Sequence, residues 1–472
     1  MTKYALFLTI PLIALSAGAC GESTGKAGGS GGGSSGGDLP YTPQGCGYQV
    51  SAPDGTEASL GGDAVGSDPA PRHIHVSLVG PTDSTFAVNW YAGIDTTLSD
   101  LVYGADQKKV EAANGAADGV TLQKGHTVLY GSDSPLFKDQ KTRVHEVHVC
   151  GLTTGTTYYY KVGGPGHWSK VESVATGPQP GGTKPFRFVV TGDSRNEPTV
   201  WAQVQQKVQA EAPDFQIFSG DAVNIGANQK EWDDLFAATT GSFKTEDYLA
   251  TVALMPVNGN HDNLTVNYIA QFALPQVVSK GESAQGEEWY SFDYGNAHFV
   301  MLNDTSASTN TITAEGDWMK ADLATVDRQK TPWIFAVHHK PTYSSASAHG
   351  SDTTLRAAWQ PIFDKYKVDI VFNGHDHDYE RSKPIRGFQS GGQNGQVASG
   401  SGANGAPQGE NGTVYVVAAG AGAPLYSVDG DYFTQVHEKT RNYVVIDIDG
   451  RTLHYKAMRL DGSEIDSFDY PK

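Results

Sequence analysis

Five short motifs between residues 192 and 379 restrict this chain more than any other feature. They read Gly192-Asp193, Gly220-Asp221-Ala222-Val223-Asn224, Gly259-Asn260-His261-Asp262, His339-Lys340-Pro341 and Gly374-His375-Asp376-His377. Four of the five follow an apolar, β-branched run, such as Phe186-Arg187-Phe188-Val189-Val190 before Gly192 and Asp369-Ile370-Val371-Phe372 before Asn373. Patterns of helical period separate them. In an open α/β sheet, ligands collect at the carboxyl ends of the strands. Residues far apart in sequence are therefore expected to meet at one edge, bringing two or more carboxylates, a carboxamide and four or more histidines together. That is the inventory of a metal site.

The residue types suggest how such a site would work. Asp193 and Asp221 can each bind one cation or bridge two, Asn260 offers a neutral carbonyl oxygen, and His339, His375 and His377 offer imidazole nitrogens. A His-x-His pair on an extended strand points to opposite sides, but a tight turn after Gly374 can aim both rings inward. Mixed nitrogen and oxygen donors suit Zn, Fe or Mn better than Mg or Ca alone. Two cations roughly 3.5–4 Å apart would sharpen a bound water and clamp an in-line displacement at phosphorus.

At 472 residues the chain has room for two or three domains. Its net charge of −18, from 34 Lys+Arg against 52 Asp+Glu, argues against a general nucleic-acid binder. Anionic substrates stay open, because bound cations set their own local field.

Residues 1–19 read as a targeting segment, with Lys3 before an apolar run at 5–17 that is shorter than the ~20 residues of a membrane span. The run ends in Ala17-Gly18-Ala19-Cys20, which resembles a bacterial lipoprotein signal with Cys20 as the lipidated residue; an ordinary secretory signal is the alternative. Residues 20–45, Gly/Ser-rich at 21–37, then form a flexible tether. The expected location is the cell envelope, periplasmic or at the surface, or otherwise secreted, with the lipid as the only contact with membrane. Cys46 and Cys150 remain as an even pair in an oxidising compartment, so a disulfide between them is expected, the alternative being two buried thiols.

Two folded domains are expected, 46–177 and 183–472, split at Gly177-Pro178-Gln179-Pro180-Gly181-Gly182. The first shows dense period-2 runs from residue 72 to 176, the mark of a β-sandwich. His73, His75, His145 and His148 read there as half-exposed sheet residues rather than ligands. The central Trp90 and the Leu152…Tyr158 corner resemble a fibronectin type III domain. The second alternates strands (186–190, 215–218, 252–257, 333–337, 369–372) with helices (200–212, 231–238, 314–326, 355–366). A hairpin over 289–302 turns at Gly295-Asn296, and strands at 413–418, 443–448 and 453–459 close the chain. Residues 387–412, rich in Gly, Ser, Asn and Gln, read as a long mobile loop beside the site. The fold class is thus multidomain α+β, a β-sandwich followed by an α/β sandwich.

With all five motifs in this order, the chain resembles the calcineurin-like metallophosphoesterase superfamily. More closely it resembles the purple acid phosphatase branch, which also carries a fibronectin-like domain in front; the resemblance spans residues 72–459. It implies a calcineurin-like α/β metallophosphoesterase sandwich with two metal ions, Fe, Zn or Mn. Asp193, Asp221 and His377 would hold the first, Asp221 would bridge, and Asn260, His339 and His375 would hold the second. His261 and His349, the latter in Ala348-His349-Gly350-Ser351, would face the phosphate as substrate binders and candidate general acids. The implied reaction is hydrolysis of a small phosphate monoester by a metal-bound hydroxide, as in acid phosphatases. A phosphodiesterase or nucleotidase on the same centre is the alternative.

Two positions depart from expectation. The purple enzymes carry a tyrosinate ligand three residues after the bridging aspartate, and this chain has Asn224, either a carbonyl ligand or a group that hydrogen-bonds one. Arg195 stands where many superfamily members have a histidine that the purple branch also lacks. It could pair with a substrate phosphate through its fork of donors, or form a salt bridge to Glu197 or Asp262. Of the adjacent His338 and His339, the His-x-Pro pattern assigns His339 to the metals. Asp262, Asp376 and Asp378 read as turn residues or as groups orienting histidines. Because Asn224 cannot supply tyrosinate-to-iron charge transfer, the iron-loaded protein should not be purple; a visible absorption band on iron loading would contradict this.

Overall fold

The apolar runs form strands buried on both faces, as covered parallel sheets require. In the computed structural model, which describes residues 39–53, 56–275, 287–305, 309–387, 395–398 and 402–472, two mixed sheets pack face to face in the catalytic region. In one, Phe186–Thr191, Phe215–Phe218 and Ala253–Pro256 run parallel, and Asn442–Asp449, Thr452–Arg459 and Glu464–Pro471 extend it antiparallel. In the other, Ala297–Met301, Trp333–Val337, Ile370–Asn373 and Val414–Ala418 run parallel. Tyr290–Tyr294 flanks it on one side, and Tyr379–Ser382 and Thr434–Glu438 on the other.

Side-chain alternation sets the layers. Phe299, Phe335 and Phe372 point between the sheets, where Phe188 meets all three edge-on at centroid distances of 5.1, 5.1 and 6.2 Å. Their neighbours Val300, Ala336 and Val371 face outward under the helices Thr309–Leu323 and Thr353–Tyr366, against Met319, Trp359 and Phe363. Helix Pro198–Ala210 covers the first sheet with Trp201, Val204 and Val208.

The N-terminal β-sandwich has a five-stranded and a four-stranded antiparallel sheet. Trp90 is buried between them, its ring stacked on His145 at 5.0 Å. Cys46 and Cys150 are joined, fixing the start of the described chain to the end of strand Lys141–Val149. One expectation fails here: His73, His75, His145 and His148 are all buried. His145 lies inside the sandwich against Trp90, and the opposite face of the five-stranded sheet is covered where His75 and His148 stand. His75 stacks on Phe236 at 4.5 Å and bonds the Gln271 carbonyl (2.6 Å), both from the catalytic region. His148 lies between Glu146 (2.7 Å) and Tyr48 (2.9 Å).

The strands Tyr379–Ser382, Thr434–Glu438 and Glu464–Pro471 were not anticipated. Residues 1–38, with Cys20, the targeting segment and most of the tether, lie outside the described residues, as do 388–394 and 399–401 of the 387–412 stretch. Within that stretch Gln396–Val397 pairs with Ile385–Arg386 just before it, and the Gly395 amide donates to Tyr343. Among the described residues no helix is long and apolar enough to cross a membrane.

One ion cluster ties the hairpin to its covering helix. Both His298 ring nitrogens donate to carboxylates, Nδ1 to Asp293 (2.7 Å) and Nε2 to Asp322 (2.8 Å). Burial opposes the charged ring, but the two carboxylates outweigh it and raise His298 from 6.5 to about 9. A raised folded-state value gives stability that is complete below the unfolded value and fades as pH rises through the folded one. His298→Gln should therefore cost about 2 kcal/mol at pH 6. That deficit should shrink between about pH 6.5 and 9 in denaturant titrations; a pH-independent deficit would contradict the assignment.

Candidate metal centre

The five motifs converge at the carboxyl ends of the strands. Asp193 and Asp221 are fully buried there, and both adopt left-handed backbone (φ 59° and 57°), as does His375 (φ 71°). Such geometry is unusual outside glycine and turns each side chain out of the path of its strand. Glycines allow the loops to interleave. A Cβ on Gly259 would collide with the Asp221 carboxylate, and one on Gly374 would lie 2.6 Å from Asp193 Oδ2 and 2.7 Å from the Ser219 carbonyl.

Backbone carbonyls fix the histidines. His339 Nδ1 donates to Ser219 (2.8 Å), His377 Nδ1 to Pro424 (2.7 Å) and His261 Nδ1 to Asn224 (2.8 Å). Each ring therefore turns Nε2 toward the carboxylates. His339 Nε2 is 3.3 Å from Asp221 Oδ1 and 3.1 Å from Asn260 Oδ1; His377 Nε2 is 3.3 Å from Asp193 Oδ1; His261 Nε2 is 4.0 Å from Asp221 Oδ2. With Nδ1–H already committed, Nε2 of a neutral ring is a lone pair facing an oxygen lone pair, a contact that needs positive charge between or beside the two atoms. A cation bonded at about 2.0–2.2 Å places neighbouring donors about 3–3.5 Å apart, the spacing found here. Among the described residues, Asp193, Asp221 and His339 offer donor atoms within 4.8 Å of one another. Asp221 Oδ2 has no hydrogen-bond partner although buried. The residues present fit a metal centre.

The electrostatics agree. Burial opposes charge on His339, yet Asp221, Asp193 and Asp304 outweigh it and raise it to about 10. Asp221 is likewise penalised by burial, but His339 and the His261 amide hold it well below the usual carboxylate range. His375, pressed by burial and by the neighbouring His339 and His349, falls to about 2 and is a neutral donor. Its ring lies 5.1 Å from His339 and 4.1 Å from the exposed His349.

Other predicted residues separate in role. His338 turns away, bonded to Asp304 (3.1 Å) and edge-on to Trp359. Asp262 orients no histidine. It accepts from the amides of Ala222 (2.9 Å), Val223 (3.2 Å) and Gly259 (3.0 Å), clamping two motif loops together. Asp376 accepts from Ser344 Oγ (2.6 Å) and the Gly350 amide (3.1 Å), anchoring the loop of His349. Asp378 has neither carboxyl oxygen hydrogen-bonded; burial, then Glu380, Asp376 and Asp193, push it up to about 9. Arg195 reaches neither suggested ion partner. Nη1 donates to Asn224 Oδ1 (3.1 Å), Nη2 meets His377 Nε2 (3.2 Å), and Nε lies 3.4 Å from Asp221 Oδ2.

Residue-by-residue similarity now joins the geometry. Residues 186–379 match the family described as Calcineurin-like phosphoesterase, and 71–176 match Purple acid Phosphatase, N-terminal domain. Purple acid phosphatase 21 of Arabidopsis thaliana is 30% identical over 328 residues, 67% of this chain and 67% of that protein. The chain belongs to the purple acid phosphatase family. As a purple acid phosphatase it is a metal-dependent phosphoric monoester hydrolase, of a family with a dinuclear centre. Purple acid phosphatase 15 of the same plant is 29% identical over 382 residues, 73% of this chain and 69% of that protein. A purple acid phosphatase from yellow lupin (Lupinus luteus) seeds shares the fold, with a TM-score of 0.68 at 22% identity over 85% of this chain and 74% of that one. The structure titled PhoD shares it at a TM-score of 0.59 and 13% identity, over 87% of this chain and 92% of that one.

Sequence reasoning missed one side chain in this phosphatase. Tyr426 stacks on His377 at 4.1 Å, lies edge-on to His349 at 5.7 Å and interacts with Arg195. Its loop runs beside the first motif, with Ala421 N on Gly192 O (3.1 Å) and Ala423 N on Asp193 O (2.8 Å). The available signal was the small-residue run Gly420-Ala421-Gly422-Ala423 following a strand, the same sign that marked the five motifs.

Removing the Asp262 carboxylate leaves three buried amides unpaired. Asp262→Ala should destabilise the metal-free protein by about 3 kcal/mol in denaturant unfolding, and Asp262→Asn by less. Equal stability of wild type and both variants would show that this clamp is dispensable.

Proposed function

We propose that this phosphatase cleaves small phosphate monoesters at a centre of two cations, with Asp193, Asp221 and His377 around one and Asn260, His339 and His375 around the other. Asp221, with Oδ1 on His339 and Oδ2 without a hydrogen-bond partner, would be the ligand shared by the two groups. The observation that carries this reading is the set of Nε2-to-oxygen contacts at 3.1–3.3 Å, made by rings whose Nδ1 atoms already donate to carbonyls. When bound, the cations would neutralise phosphate oxygens and lower the pKa of a water. Fe, Zn and Mn all suit the donors. Asn224 in place of an anionic ligand favours divalent ions in the His377 group.

The protein's own groups do the rest. His261, with Nδ1–H held by the Asn224 carbonyl, presents Nε2 to the centre, where it would face a phosphate oxygen. His349, exposed above His375, stands where the departing alcohol reaches solvent and supplies its proton. Asp376 holds that loop in place. Arg195, suggested by sequence for the phosphate, has its fork committed to Asn224 and His377. Export, with lipid on Cys20 as the only membrane contact, belongs to the same reading and rests on the sequence of residues 1–20.

The test is hydrolysis of p-nitrophenyl phosphate and bis-p-nitrophenyl phosphate by full-length protein, stripped by chelator and resupplied with Zn²⁺, Mn²⁺, Fe²⁺ or Mg²⁺ singly and in pairs. Stripping should abolish monoester cleavage and re-addition should restore it. Faster diester cleavage would move the protein to the diesterases. Asp221→Ala should lower turnover by about a hundredfold or more; retained turnover with two bound metals would contradict the bridging role.

A further inference from the structure

Arg195 occupies an unusual place for a cationic side chain. Its guanidinium spans three oxygen and nitrogen donors of the His377 half of the centre: Asn224 Oδ1 at 3.1 Å, His377 Nε2 at 3.2 Å and Asp221 Oδ2 at 3.4 Å. The side chain is only 12% exposed, so water screens it little. His377 Nδ1 already donates to Pro424, which leaves Nε2 as the lone pair that the fork covers. Neither Arg195 Nε nor Asp221 Oδ2 has a hydrogen-bond partner, so their contact is one of charge rather than of directed bonding. Other acids nearby are engaged elsewhere: Glu197 pairs with Arg441 (3.2 Å), and Asp262 clamps three amides.

We propose that Arg195 is a built-in cation of the His377 half, competing with a metal ion for Asp221, His377 and Asn224, so that the two halves bind metal with unequal affinity. The inference rests on the metal-centre reading above. A cation entering the His377 half needs the lone pairs that the guanidinium covers, and it meets a fixed positive charge in a poorly screened pocket. Among the described residues no Lys or Arg side chain covers Asn260 Oδ1 or His339 Nε2, which face each other directly, so a metal there displaces only the His339 proton. The His339 half therefore fills first, and the His377 half fills second and weakly. Trivalent ions suffer most from the competing charge. A cavity of about 280 Å³ adjoins Arg195, walled by Asn196, Trp201, Glu231 and Asp234, and gives the displaced fork room beside two carboxylates.

The test is calorimetric titration of metal-stripped full-length protein with Zn²⁺, alongside Arg195→Ala, with metal content read by mass spectrometry. Wild type should show one tight site and a second weaker by about tenfold or more; Arg195→Ala should tighten the second by about the same factor and leave the first unchanged. A gain of affinity is a result that simple damage to the fold does not produce. Should Arg195→Ala fail to fold, Arg195→Gln is read in the same way. Two equal sites in wild type, or an unchanged or weakened second site in the variants, overturn the inference while leaving the metal centre intact. Wild type that binds no metal at all defeats the metal-centre reading, and this inference with it.

Discussion

Two carboxylates are held in the interior of this protein, and the structure around them follows from the need to balance their charge. Asp193 and Asp221 lie at the ends of neighbouring parallel strands, both in left-handed backbone and both out of contact with solvent. Isolated, such an arrangement would be expelled or protonated. It persists because the loops carrying it are clamped by Asp262, packed through glycines, and surrounded by imidazoles whose tautomers are set by main-chain carbonyls.

Precision of this kind depends on the scaffold. The aromatic layer around Phe188 locks the two sheets face to face, and helices seal their outer surfaces. The strand ends, and hence the ligands, inherit that rigidity. The carbonyls of Ser219, Asn224 and Pro424 extend it to the rings, since each fixes both the orientation of a histidine and the nitrogen left for the centre.

How much of this was legible in the sequence depended on where the determining atoms lie. The motif aspartates, Asn260 and the histidines were legible because side-chain type and strand-end position suffice to mark them. The strands at 215–218 and 333–337 were placed residue for residue, their apolar β-branched runs being bounded by turns. Tyr379–Ser382 was obscured because its Glu380 and Arg381 are buried polar residues satisfied by distant partners, Ser345 and Asp466. Pro424 acts through a main-chain carbonyl, which has no side-chain signature. The environment of Arg195 arises from three loops meeting, and the two acids suggested for it, Glu197 and Asp262, are taken by Arg441 and by main-chain amides. The histidines of the sandwich were misjudged for a related reason: alternation tells which residues share a face, not what covers it.

That covered face has a mechanical consequence. His75 against Phe236 and Gln271, Tyr130 on Gln229 (2.9 Å) and Tyr160 on the Ala250 carbonyl (2.6 Å) make both sheets of the β-sandwich part of the wall that supports the catalytic region. The Gly/Pro run at 177–182 marks a change of architecture without acting as a joint. Cutting the chain there would yield two halves, each with a raw buried surface, so the β-sandwich is a buttress of the catalytic region and not a detachable module.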